Sequence, residues 1–385
     1  MIKQEINELK RLYTPSNCSI TRICGCYVDG EKNKKTEFKE AFLSLPEEEI
    51  FKYFELLRKT LSGSLGKNLL NLDFPLASEQ EGGTQAALLA LRDSKLKDDA
   101  LIEEVYDRVI NTYEYVGNYL ILLIHDAYDV PGKTTDGLTM DDASDTVFEY
   151  IMCCICPVNL SKPGLSYDNI NNEFHNRIRD WVVEMPETGF LFPSFNDRAT
   201  DIHSTLFYSK NPEEAHSEFV ENILGCTMPL SAGTQKEAFQ ALIEETLGDE
   251  VEYEVVKNIH ENLTEMIEEH KEIPEPLTLD KNQVKSLFEK SGVKEEKLTD
   301  FDKLYDAAAG EDTSLFVNNV ANVRTFEVKT PDVVVKVNPE RADLVNTLQI
   351  DGKRCLVIEI NDHVEVNGIT IHQSVSLEDV ADEEE

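Results

Sequence analysis

Two clusters of thiols, one stretch with the letters of a phosphate cradle, and two separate histidines beside carboxylates are the residues that could do chemistry. Cys24-Gly-Cys26 and Cys153-Cys154-Ile155-Cys156 each sit in a short apolar run. Thiolates bind zinc and iron–sulfur clusters, and two neighbouring strands would offer Cys24, Cys26, Cys154 and Cys156 as a ligand set. The spacing favours another role. Neither cluster has the two-residue gap of a zinc knuckle, and side chains alternate along a strand, so Cys154 and Cys156 face one way and Cys153 the other. Cysteine in such a run behaves as a small hydrophobe. Buried reduced thiols with no bound metal are the expectation.

Ala127-Tyr-Asp-Val-Pro-Gly-Lys-Thr134 satisfies the permissive form of the phosphate-binding loop and follows an apolar strand. Gly132, Lys133 and Thr134 are then the cofactor-binding candidates, since backbone amides, a lysine and a hydroxyl hold phosphates in such loops. A helix should begin at once behind Thr134. Here Thr-Asp-Gly-Leu-Thr-Met-Asp-Asp follows, Pro131 removes an amide, and the nearby carboxylates repel a triphosphate. A surface loop over Pro131–Asp145 is expected, with no cofactor.

His125, Asp126 and Asp129 stand near a strand end, as do Asn196, Asp197, Arg198, Asp201 and His203. A histidine beside carboxylates can move protons or hold a metal. No spacing marks a nucleophile with its base, so these residues are expected to order loops by hydrogen bonds, and no catalytic residue is assigned.

The elements that must position these groups follow from periodicity. Asn118–Val130 and Phe148–Leu160 read as the central strands of one sheet. Before them come a helix over 2–13 stopped by Pro15, a strand over Ser19–Gly30, a helix behind Pro46, and helices from about Thr84 and Asp98. After them, Asp180–Met185 and Gly189–Phe195 read as a hairpin across Pro186–Gly189, and Ile202–Tyr208 as a further strand. Residues 1–210 thus form an α+β domain with an antiparallel or mixed sheet and flanking helices.

From Asn211 the period changes to that of helices. Asn211-Pro-Glu-Glu opens one, Thr234 with Glu237 caps another, Val251–His270 is a third and Asp280 caps a fourth. Residues 211–322 form an acidic helical segment, with eleven acids against two lysines between Glu244 and Glu272. From Phe326 apolar residues alternate again, with tight turns at Asp351-Gly352 and Asn367-Gly368. Residues 323–372 are read as a β-rich module and 373–385 as a disordered acidic tail.

Composition narrows the function classes. Seventy-four acidic and thirty-seven basic residues give a net charge of −37 over 385 residues, which repels nucleic acid and anionic membranes. No run approaches the roughly 20 apolar residues of a membrane span. The first ten residues carry no apolar run of signal-peptide length, so a cytoplasmic setting with reduced thiols is expected.

Cys18–Gly30, Tyr128–Thr134, Tyr150–Ser161 and Pro331–Arg341 together resemble an uncharacterised bacterial family, frequent in anaerobic Gram-positive species and known as a domain of unknown function. The resemblance covers essentially the whole chain and implies no activity. A weaker likeness of layout is to the bacterial nucleoid-associated protein family: an α+β half, a helix ending Glu-Asn-Ile-Leu-Gly-Cys226, a helical middle, and a β-rich end opening Phe-Glu-Val-Lys. DNA binding would then need a basic strip, for which Arg22, Lys32, Lys34, Lys35, Arg177, Arg179 and Arg198 are the candidates. The expected function is that of a non-enzymatic protein that binds another protein or assembles with itself, ahead of DNA association and nucleotide binding.

Overall fold

The computed structural model describes residues 1–133, 139–214, 216–248, 251–322, 324–360 and 364–371, with the strand backbone but not the side chains of Lys133 and residues 139–145. The expected tail over 373–385 lies outside the described residues. The chain forms two compact units, Met1–Ala238 with Lys271–Thr278, and Phe239–His270 with the residues from Leu279 on.

The first unit is built on an antiparallel sheet. Its strands are β1 (Ile20–Val28), β2 (Lys34–Ala41), β3 (Leu69–Asp73), β4 (Asn118–Lys133), β5 (Thr139–Leu160), β9 (Thr188–Phe192) and β12 (Ser204–Ser209), in spatial order β2-β1-β4-β5-β9-β12-β3. The short strands between are β6 (Leu165–Asp168), β7 (Glu173–Asn176), β8 (Trp181–Val183), β10 (Ser194–Asn196) and β11 (Ala199–Asp201). β4 and β5 are central, as their composition predicts. Helices cover both faces. On one, α1 (Lys3–Leu12) and α2 (Glu47–Thr60) pack Leu9, Phe54 and Leu57 against Leu122, Ile124 and Tyr150. On the other, α3 (Thr84–Asp93), α4 (Asp99–Thr112) and α5 (Ser217–Phe219, continued as a π turn to Leu224) pack Leu91, Val109 and Phe219 against Ile121 and Leu123. A sheet covered on both sides needs apolar residues at consecutive positions, which is why Leu120–Ile124 does not alternate.

Helix ends follow local chemistry. The Asp98 carboxylate accepts the amide of Ala100 at 2.9 Å at the start of α4, and acids fill the first turn of α2 with Arg58 and Lys59 in its last. Gly225, at φ 69°, ends the α5 turn in the left-handed conformation.

Several expectations need correction. Of the loop expected over Pro131–Asp145, the described residues are strand: β4 runs on to Lys133, β5 starts at Thr139, and Gly132 pairs with Met140, while residues 134–138 lie outside the described residues. Register shifts on either side of Pro131 absorb the residue that cannot donate to a ladder. Asp180–Met185 and Gly189–Phe195 do not form a hairpin. β8 and β9 both pair with β5, β8 at Val158–Leu160 and β9 at Ile151–Ile155. β2 and β3 are additional strands. The helix expected from Asn211 begins only at Ser217, and Ser231, whose hydroxyl accepts the amide of Thr234 at 3.1 Å, stands ahead of α6 (Ala232–Leu247) in place of the expected Thr234 cap.

The second unit contains the later part of α6 with α7 (Tyr253–Glu269), α8 (Lys281–Lys290) and α9 (Phe301–Ala308). Asp280 caps α8 in a full capping box with Gln283. Two-residue strands, β13 (Thr278–Leu279) and β14 (Leu315–Phe316), interrupt the helical stretch. Three separate hairpins follow: β15 (Phe326–Lys329) with β16 (Val334–Val337), β17 (Val345–Ile350) with β18 (Lys353–Ile358), and β19 (Val364–Val366) with β20 (Ile369–Ile371). Asp351-Gly352 and Asn367-Gly368 turn the last two, each pair with positive φ at both residues.

The close approach at Gly189 offers a test. A Cβ there would lie 2.4 Å from the Cys153 carbonyl oxygen and 2.8 Å from Thr60 Cγ2, so Gly189→Ala should cost about 1–3 kcal/mol in urea unfolding. Gly164 has open space around its Cβ position, and Gly164→Ala should stay within about 0.5 kcal/mol of the parent.

Candidate functional site

The thiols are distributed by strand alternation. Cys24 and Cys26 on β1 share a core with Cys153, while Cys154 and Cys156 belong to the core on the opposite face. β4 separates β1 from β5, a gap of about 10 Å for two strand spacings. The candidate ligand set Cys24, Cys26, Cys154 and Cys156 therefore does not converge on one point, because the sheet itself lies between its two halves. Among the described residues no group of three or more metal-ligating side chains assembles. Burial pushes the Cys26 and Cys154 thiols up to about 12 and Cys24 to about 11.

The phosphate-cradle residues are likewise held in a ladder. Ala127–Lys133 is extended and paired with β5 over its length. A cradle needs successive amides turned toward one point at a helix N-terminus, and a paired strand points them alternately to its two neighbours. Gly132 and Lys133 end β4; Thr134 lies outside the described residues.

His125 and Asp126 are fully buried on opposite faces of β4. His125 Nδ1 lies 2.7 Å from Thr21 Oγ1, and its Nε2 is 3.9 Å from Glu149. Burial pulls its pKa down to about 4, against the raising influence of Glu149. Asp126 accepts a 2.7 Å hydrogen bond from the Tyr150 hydroxyl, which lies 3.0 Å from the hydroxyl of Tyr13. Burial raises the Asp126 carboxyl, against the Tyr150 hydrogen bond. With no solvent access to either residue, this arrangement links α1 to the sheet and offers nothing to a substrate.

Asn196, Arg198, Asp201 and His203 order the β10–β11 turn. Asn196 and Ser204 donate to Asp201 at 2.6 and 2.8 Å, Arg198 pairs with Glu8 at 3.0 Å, and His203 meets Glu79 at 2.6 Å. Of the seven basic residues of the proposed strip, Lys34, Lys35 and Arg179 are engaged as Arg198 is. Lys34 meets Glu103 and Asp107, Lys35 meets Asp29 at 2.7 Å, and Arg179 donates to the Ser161 carbonyl at 2.6 Å.

The surface that stands out was not read from the sequence. Between β5 and β9 the chain makes an excursion over 161–187. β6 and β7 form a hairpin that, among the described residues, pairs with no other strand, and every residue from 171 to 185 is exposed. Leu165, Tyr167, Ile170, Phe174, Ile178 and Trp181 lie among the exposed large side chains. Their sequence signal is weak: apolar residues scattered through Asn, Asp and Arg with neither a helical nor a strand period. In the second unit, a cavity of about 410 Å³ lies between α7 and α8 and is lined by Glu265, Glu269, Gln283 and Lys290 among others.

Two measurements test these placements. Iodoacetamide should label Cys18 and Cys355 in the native protein, while the six buried thiols react only in denaturant; native labelling of Cys154 would refute the burial. For His125, the unfolded ring takes a proton near 6.5 and the folded one only near 4. Stability should therefore fall as pH drops through that window, by at most about 3 kcal/mol, and His125→Gln should remove that part of the loss in urea titrations at pH 7 and pH 4.5.

No curated protein matches the chain. A family model described as a domain of unknown function, DUF4317, matches residues 1–369, and the chain belongs to that family.

Proposed function

We propose that this chain is a non-enzymatic protein that binds another macromolecule or assembles with itself, and that it does so through the β6–β8 excursion. One observation carries the reading: residues 171–185 are exposed without interruption, although Phe174, Ile178, Trp181 and Met185 are among them. Soluble monomers rarely leave contiguous apolar patches beyond a few hundred Å². A two-stranded hairpin alone is marginal in water, so a hairpin that pairs with no further strand among the described residues gains stability from another surface.

The competing readings draw less support. A duplex needs cations free to displace counterions, and Lys34, Lys35 and Arg198 are each paired with carboxylates. The Ala127–Lys133 stretch is ladder, so the nucleotide reading lacks its cradle. The acidic outer face of α7, with Glu254, Glu265 and Glu269 exposed, fits a solvated helix.

Cross-linking in cells separates an interaction surface from an idle one. A photoreactive phenylalanine analogue at position 174, 72% exposed, should give adducts on irradiation, and the same analogue at position 116, 102% exposed, should give few. Equal yields at the two positions would overturn the proposal.

A further inference from the structure

We propose that the occupant of the excursion is a second copy of this chain, seated about a two-fold axis with the free edges of the two β8 strands antiparallel. This rests on the reading of the excursion as an interaction surface and names its partner.

The strand edge is the first observation. Trp181, Val182 and Val183 pair along one edge with Leu160, Asn159 and Val158. Among the described residues no strand pairs with the other edge. An open edge presents amides and carbonyls as a template, and two identical edges satisfy one another when they run antiparallel about a two-fold at Val182.

Charge is the second. From Ser161 to Met185 the chain carries three cations, Lys162, Arg177 and Arg179, and four acids, Asp168, Glu173, Asp180 and Glu184, within a protein of net charge −37. Two such polyanions approach each other only where local charge nearly cancels. A basic partner would instead be drawn to the acidic helices, and an anionic membrane would be repelled by the rest of the molecule.

Area is the third. The exposed surfaces of Leu165, Tyr167, Ile170, Phe174, Ile178 and Trp181 together come to the order of 800 Å², the amount each partner contributes to a standard stable interface.

The test uses the purified full chain. Sedimentation velocity across micromolar concentrations should show a dimer that Ile170→Asp with Phe174→Asp dissociates and Val116→Asp leaves intact. Val182→Cys, a small change that preserves folding, should form a covalent dimer under copper-phenanthroline oxidation well above the yield of Val116→Cys. A monomer throughout, or a dimer that survives the double substitution and is not trapped at position 182, overturns the proposal. The two ideas fail separately. A monomer whose position-174 adducts in cells map to a different protein, or to this chain's own 326–371 hairpins, ends the second-copy proposal alone. The absence of adducts ends both.

Discussion

The ladder between β4 and β5 is buried on both faces, and the rest of the first unit is arranged around that condition. Removing both faces from water demands apolar side chains at successive positions and excludes any charge without a partner. Leu122 and Leu123 therefore point to different cores, and each face requires its own helices. Polar residues admitted to the ladder are constrained in turn. Asp126 is reached by the Tyr150 hydroxyl, and His125 is kept neutral at pH 7 by its burial. The same condition governs the thiols, which fill space between strands and helices where a bulkier side chain would force the layers apart.

Sequence reading succeeded where the determining physics is local. The run from Leu120 to Ile124 is apolar because of what covers it, and Gly117 ahead of it and Pro131-Gly132 beyond it are the turn formers around its strand. Asp351-Gly352 and Asn367-Gly368 announce their turns because both positions need positive φ. Asp280 with Gln283 announces a helix start for an equally local reason. Elements were lost where partners are distant or the surface is charged. Leu69–Asp73 becomes a strand through β12, more than 130 residues on. Lys34–Ala41 is an edge strand whose lysines and glutamates guard it from further pairing, so it lacks an apolar signature. Pro131 and Gly132 suggested a loop, yet a ladder can carry them across irregular register.

The candidate site was legible only by negation. Spacing argued against a zinc knuckle, and Pro131 with the carboxylates behind Thr134 against a phosphate cradle; the faces of β1 and β5 give the physical reason for the first. The excursion over 161–187 was opaque because its apolar side chains serve no surface of their own chain, and periodicity reports burial within a chain. Trp181, 58% exposed, is unremarked in a sequence and conspicuous on a strand with one open edge. The sheet that hides the thiols and carboxylates thus leaves β6–β8 as a part of the first unit that faces outward with several apolar side chains.

Amide hydrogen exchange of residues 165–183 in the full chain, followed by mass spectrometry at high and low protein concentration, reads the central claim most directly. Slow exchange at high concentration should be lost on dilution, while Leu120–Ile124 stays protected at both. Rapid exchange of 165–183 at every concentration would contradict it.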